Sequence, residues 1–148
     1  MDIVEWRDAD LPAAIDDLLT EALATDHDWV ADFRPAWQAR PFVGDGEALF
    51  LVIEGGQLLA MAVISADPFV EDGTTGRLRF IYVAVAARRR GIADALVTRC
   101  IRHAGGHWRR LRLHTDNPVA ARLYERHGFR PVTGAVRATH VADLAPPA

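Results

Sequence analysis

The chain has 148 residues, half of them apolar and a quarter charged, which suits one full core and excludes an intrinsically disordered polymer. No apolar run reaches the ~18 residues of a membrane span, the acidic start Met1–Glu5 lacks a signal-peptide pattern, and one cysteine, Cys100, excludes an internal disulfide, so the chain reads as cytoplasmic. The net charge of −3 divides unevenly: residues 1–76 hold 3 Arg against 16 Asp and Glu (−13), residues 77–130 hold 13 Arg against 3 (+10), and residues 131–148 sum to zero.

Residues Ile3 to Arg7 alternate as a short strand. Asp10 then offers an N-cap and Pro12 an early helical position, ahead of Ile15, Leu18, Leu19, Ala22 and Leu23 at helical spacing. Asp26 to Arg40 reads as a second short helix, interrupted or restarted at Pro35. Trp29, Phe33 and Trp37 recur there every four residues, either as a hydrophobic face or as a pocket lining. His27, between Asp26 and Asp28, fits a solvated acidic turn better than a metal cluster, and no metal site is expected.

Leu49 to Glu54 and Leu58 to Ser65 read as strands joined by a Gly55–Gly56 hairpin. A polar loop over 67–76 leads into a strand from Arg77 to Val85. The spacing predicts a helix from Ile92 to about Ala104, with Ile92, Leu96, Cys100 and Ala104 on one face and Gly105–Gly106 at its end. Leu111 to Thr115 is the next strand. Asn117 and Pro118 open a last helix as N-cap and first-turn proline, Gly128 closes it, and 136–144 supplies a final strand. This succession gives an α/β or α+β fold with a mixed sheet, in a single domain over 1–148.

Arg88-Arg89-Arg90-Gly91-Ile92-Ala93 joins an apolar strand to an amphipathic helix. A helix start exposes unpaired N–H groups at the positive end of its dipole, and arginines beside it strengthen an anion site. The same pattern also describes an ordinary strand–loop–helix junction with a solvated basic loop. Downstream stand Asn117, Ala120, Leu123-Tyr124 and Gly128-Phe129.

On these residues the chain resembles the GNAT superfamily of acetyl-CoA-dependent N-acetyltransferases. Arg88-x-x-Gly91-x-Ala93 is similar to that family's phosphate loop, and Asn117, Ala120, Leu123-Tyr124 and Gly128-Phe129 to its next motif, in the family's order and at its usual separation. The resemblance covers residues 76 to 131 strongly and the first 75 in outline. It implies a mixed, mostly antiparallel sheet flanked by helices and splayed where the acetyl-CoA enters. It implies an acyltransferase that moves an acetyl group directly to a primary amine on a small molecule or peptide. A non-catalytic acetyl-CoA-binding or regulatory module on the same fold is the alternative.

By that resemblance, Arg88, Arg89, Arg90, Gly91, Ile92 and Ala93 form the pyrophosphate loop, with Ile92 pointing to the core. Val83 and Val85 offer backbone groups to the pantetheine arm, and the Val83 amide can also polarise the thioester carbonyl. Asn117 and Ala120 are further cofactor contacts. Tyr124 is the catalytic acid that protonates the leaving thiolate, although without the motif it reads as a core tyrosine on an amphipathic helix. Some members carry a glutamate base on the strand before the loop, but the comparable position here is Arg79, which cannot be a base. Asp67, Glu71, Asp72, His27, His114 and Asp116 stay open as bases, as does a water relay. Family members are often dimers, so a homodimer is compatible with the chain. The basic second half suits an anionic cosubstrate and the acidic first half a cationic acceptor. The arginines are scattered over several elements without a nucleic-acid motif, so no nucleic-acid partner is expected.

Overall fold

A computed structural model describes residues 1–144. Seven strands form one sheet: β1 (Asp2–Trp6), β2 (Ala48–Glu54), β3 (Gln57–Ala66), β4 (Thr75–Val83), β5 (Arg110–Leu113), β6 (Arg130–Pro131) and β7 (His140–Asp143). Their order is β1-β2-β3-β4-β5-β7-β6, and only the β4–β5 pair is parallel. Among the described residues four α-helices flank it: α1 (Ile15–Ala24), α2 (Val30–Ala39), α3 (Ile92–Ala104) and α4 (Pro118–Arg126). Among the described residues no helix is long and apolar enough to cross a membrane.

Both faces of the sheet are covered, which explains the unbroken apolar run in β2. Phe50 and Val52 face α3, with Ala62, Ile64, Leu96 and Leu111. Leu49 and Leu51 face α1 and α2, with Met61, Leu18, Phe33 and Trp37. Gly55 and Gly56, at φ +58° and +77°, make the tight β2–β3 turn, a conformation that suits the twist of the strands and favours glycine.

Several local expectations needed correction. α1 starts at Ile15 rather than behind Asp10; Pro12 instead heads a preceding turn, its carbonyl accepting from the Ile15 N–H at 3.0 Å. α2 runs through Pro35 without a break. The missing N–H forfeits one bond, and the fully buried Phe33 and Trp37 hold the helix against the sheet. These two residues are therefore core, not pocket lining. β4 ends at Val83, and Val85 lies in a short 3-10 turn, Val85–Ala87. The last expected strand, 136–144, shortens to β7, and β6, just after α4, is a strand that the sequence did not signal.

β4 carries a β-bulge. Met61 pairs with Tyr82 and Val63 with Arg79, so Phe80 and Ile81 together oppose Ala62. Phe80 takes the left-handed φ of +55°, costly for a bulky residue. Its ring is held by Trp29 and Phe33 at 5.5 and 5.3 Å and covered by the Arg79 guanidinium at 4.4 Å. The extra residue reverses the side-chain alternation. Leu78 packs on the α3 side, whereas Phe80 and Tyr82 pack on the α1–α2 side and Ile81 and Val83 on the α3 side.

β5 pairs only with Thr75–Arg77, so the remaining six residues of β4 present an edge free of β5. The junction below this splay is fastened by ions. Asp67 is buried, with Arg77 Nη1 3.3 Å and Arg112 Nε 3.4 Å from its Oδ2. Arg77 also donates to the Arg137 carbonyl at 2.6 Å, and Arg112 donates to the Val136 carbonyl. Asp67→Ala leaves two buried guanidiniums without their anion. It is expected to lower unfolding free energy by about 3–5 kcal/mol in urea titration.

Candidate active site

The splay opens a cleft of about 320 Å³ between the end of β4 and the facing walls of α3 and α4. Its floor is Ile81, Tyr82 and Val83 from β4. One wall is the loop Arg88–Gly91 with Ile92 and Ala93 at the start of α3; the other is Ala120, Leu123 and Tyr124 of α4. His27, from the turn after α1, completes the lining on the opposite side of the sheet edge.

The Ala84 N–H donates to Leu59 of β3 at 2.8 Å. Backbone groups alternate in direction along a strand, so those of Val83 turn toward the unpaired edge. The Val83 carbonyl accepts from Arg88 Nε at 3.2 Å. Val85 differs: it is 51% exposed, does not line the cleft, and its N–H donates to Glu21 Oε2 at 3.0 Å.

Gly91 is the N-cap of α3, at φ +76°, and no side chain caps the helix. Its first-turn N–H groups therefore remain open to a ligand. A Cβ built at Gly91 meets nothing within 4 Å, so space at this point is left over the loop. Ile92 is buried in the core beneath it. The three arginines separate. Arg88 turns inward over the Tyr82 ring, at 5.6 Å. Arg90 turns away to Glu54, at 2.6 Å. Arg89 lines the cleft, and among the described residues it has no ion-pair partner. Asp94 in the first turn also lines the cleft, but His127 Nε2 at 2.8 Å and Arg126 at 3.3 Å compensate it. The His127 contact, followed by Arg126, holds its carboxyl below the usual range.

Asn117 caps α4, its Oδ1 accepting from the N–H groups of Val119 at 2.8 Å and Ala120 at 3.4 Å. It stands outside the lining, whereas Ala120 belongs to it. Tyr124 is buried against Phe129, ring centroids 6.0 Å apart, and among the described residues its hydroxyl has no hydrogen-bond partner. Burial pushes its phenol well above the ordinary range, so it holds its proton at neutral pH. Burial also pushes the Cys100 thiol up to about 12, which is incompatible with a nucleophilic thiolate.

The candidate bases separate just as clearly. Asp67 is locked between arginines, and Asp72 caps the Thr74 N–H at 2.9 Å. His114 pairs with Asp116 at 3.3 Å, away from the cleft, and Glu71 is exposed in the β3–β4 loop. Arg79 lies against the rings of Phe80, at 4.4 Å, and Phe42, at 5.7 Å. Of that set only His27 lines the cleft. Among the described residues no group of three or more potential metal ligands occurs.

Glu21, Thr25 and Tyr82 are site residues that sequence reasoning missed. The Tyr82 hydroxyl donates to Glu21 Oε2 at 2.5 Å and lies 3.2 Å from Thr25 Oγ1. Burial first, and then the Glu21 carboxylate, raise the Tyr82 phenol. Glu21 and Tyr82 are 61 residues apart in sequence, so no local pattern signals their meeting. The available clue was an acid beside the apolar stripe of α1.

Residues 2–129 match the model of the acetyltransferase (GNAT) family. No curated protein matches the chain. Among solved structures, a provisionally assigned acetyltransferase from Exiguobacterium sp. 255-15 is 28% identical, with 97% of this chain and 94% of that one covered and a TM-score of 0.82. A GNAT-family acetyltransferase from Streptococcus pneumoniae is 23% identical, with 97% and 98% covered and a TM-score of 0.72. A ribosomal-protein-alanine N-acetyltransferase from Brucella melitensis is 18% identical, with 97% and 100% covered and a TM-score of 0.70. At these lower identities the last two speak to the fold alone.

The loop geometry yields three expectations for calorimetric CoA binding and one for stability. Gly91→Glu abolishes it by filling the anion approach with like charge. Gly91→Ala keeps the fold at a cost of about 1 kcal/mol, since φ is left-handed but the space is open. Unchanged affinity in Gly91→Glu would remove the anion from this loop. Arg89→Ala weakens CoA about tenfold, ~1.4 kcal/mol, without affecting a pantetheine fragment, whereas Arg90→Ala, already paired with Glu54, changes neither by more than about twofold.

Proposed function

The chain belongs to the acetyltransferase (GNAT) family, and from that premise we propose that it is a cytoplasmic transferase that moves the acetyl group of acetyl-CoA directly to a primary amine. One transferase domain over 1–148 is part of this reading, and association into a homodimer is compatible with it. The observation that carries the reading is the hydroxyl of the buried Tyr124, without a hydrogen-bond partner among the described residues, in the same cleft as the open helix start of α3 and the Val83 edge that β5 leaves unpaired.

The residues fit such a cosubstrate. Gly91, Ile92 and Ala93 offer N–H groups to the pyrophosphate, with Arg89 adding charge. Val83 supplies N–H and C=O groups to the pantetheine amides, once Arg88 releases the carbonyl. The apolar side chains of Ile81, Leu123 and Ala120 line the channel between. Asn117 contributes by holding the start of α4, and thereby Ala120 and Tyr124, in place. Val85 contributes through the turn that its amide anchors on Glu21.

Tyr124 gives its proton to the sulfur as the C–S bond breaks. A phenol raised by burial is protonated throughout the neutral range and stays so above the usual ~10. Direct transfer without an acyl-enzyme is supported by the inert Cys100. The acceptor is a small molecule or peptide amine, and the acidic first half of the chain favours a cationic one.

Tyr124→Phe removes only the hydroxyl, which has no hydrogen-bond partner to lose among the described residues. The melting temperature is expected to change little and acetyl-CoA to bind as before. In a CoA-release assay with an amine panel, kcat is expected to fall about 10²- to 10⁴-fold with KM nearly constant. An unchanged kcat with chemistry rate-limiting would leave Tyr124 a packing residue. Acetyl-CoA binding without transfer to any amine would leave the regulatory-module alternative.

A further inference from the structure

An amine acceptor arrives as an ammonium ion and must lose a proton before it can attack. Arg79 of β4, stacked on the Phe80 and Phe42 rings, is a guanidinium and cannot be the base that removes it. Among the described residues only two carboxylate or imidazole groups line the cleft, Asp94 and His27. Asp94 stands at the anion-binding start of α3 and is engaged by His127 and Arg126. His27 stands on the other side of the sheet edge, beside Tyr82.

We infer that His27 is the base that takes the proton from the acceptor amine, and that the amine enters from the α1–α2 side of the cleft, opposite Tyr124. This rests on the transferase reading and adds to it the residue that completes the acid–base pair.

The backbone places His27 deliberately. α1 ends in a Schellman motif: the His27 N–H donates to the Ala22 carbonyl at 3.1 Å and the Asp26 N–H to the Leu23 carbonyl at 3.3 Å. Asp26 takes the left-handed φ of +63° that this cap requires, a conformation that aspartate tolerates better than most residues. The chain is thereby turned back so that His27 meets β4. Its ring packs edge-on against Tyr82 at 4.8 Å and Trp29 at 6.2 Å.

The hydrogen bonds then select a tautomer. His27 Nδ1 lies 3.2 Å from the Ala22 carbonyl, which can only accept. It lies 3.1 Å from Thr25 Oγ1, whose own hydrogen has the Glu21 carbonyl at 3.0 Å. Nδ1 therefore carries the hydrogen, and Nε2 carries the lone pair. Among the described residues Nε2 has no hydrogen-bond partner. The charged and titratable groups around the ring are Asp26 and Asp28 in its own turn, Glu21 on α1, Tyr82 on β4 and Arg88 after β4. Glu21, hydrogen-bonded to Tyr82, and the two aspartates favour an incoming ammonium, and Arg88 opposes them.

The proton balance closes. The ammonium gives one proton to His27 Nε2, and the freed lone pair forms the C–N bond at the thioester carbon. The C–S bond breaks with its electron pair going to sulfur, which takes the Tyr124 proton. The second proton on the new amide nitrogen returns to the Tyr124 oxygen through water, and His27 releases its proton to solvent. The net products are the amide, CoA thiol and one proton.

His27→Asn keeps a donor near the Nδ1 position and removes the base. With butylamine, spermidine and an alanine-initiated peptide as probes, kcat/KM for CoA release is expected to fall about 10²- to 10³-fold. With hydroxylamine, which is already neutral at pH 7, the loss is expected to stay within about threefold, because no proton need be removed before attack. The KM for acetyl-CoA is expected to hold. Nitrogen NMR of the neutral wild-type imidazole is expected to show the Nδ1–H tautomer. CoA release that His27→Asn leaves unchanged, or reduces equally for every acceptor, overturns the assignment, and so does an Nε2–H tautomer. No transfer by the wild type to any amine overturns the transferase reading and the role of His27 with it.

Discussion

The positive φ of Phe80 is the constraint from which the site geometry follows. A strand without a bulge would put Phe80 and Tyr82 on the same face as Leu78. One extra residue opposite Ala62 reverses that order for the rest of β4. Tyr82 then faces α1, where Glu21 and Thr25 receive its hydroxyl, and Val83 faces the cleft. The left-handed backbone costs on the order of 1–3 kcal/mol, and the aromatic cage of Trp29, Phe33 and Phe42 around Phe80 offsets it. The otherwise unremarkable aromatic repeat in α2 thus acts through the backbone of a strand some fifty residues away.

The splay depends on a second, electrostatic device. β5 follows β4 for only three residue pairs. Asp67, Arg77 and Arg112 occupy the buried junction where the strands still touch, and the carbonyls of Arg137 and Val136 each accept from one of the two guanidiniums. A buried charge without partners is far costlier than an apolar contact, so this cluster resists rearrangement. The strands are pinned at one end and free at the other. An open edge of β4 and an uncapped α3 then lie side by side, which is what a ligand with amide and phosphate groups requires.

Charge asymmetry along the sequence becomes a division of labour in space, though less simply than a basic half and an acidic half suggest. Several arginines serve the fold: Arg77 and Arg112 in the buried junction, Arg79 over Phe80, Arg90 on Glu54. Arg89 remains for an anion. On the acidic side, Glu21 bridges α1 to Tyr82 and to the turn at Val85. The Asp67–Arg77, Asp67–Arg112 and Glu54–Arg90 pairs join one charge from each half, so neither half can be read as a free surface.

The sequence by itself determined what local chemistry decides. Gly55–Gly56 made the hairpin, Asn117–Pro118 the start of α4, and Gly91 the α3 N-cap, because each depends on a few neighbouring dihedrals and a nearby hydrogen bond. The order of motifs from Arg88 to Phe129 likewise carried the family. Tertiary structure alone decided the bulge at Phe80, the unbroken α2 across Pro35, the early end of β4, and which of three adjacent arginines is free. It also decided the meeting of Glu21, His27 and Tyr82. These features arise from contacts between residues tens of positions apart, where packing and buried charge outweigh local preference, and no periodicity in the chain encodes them.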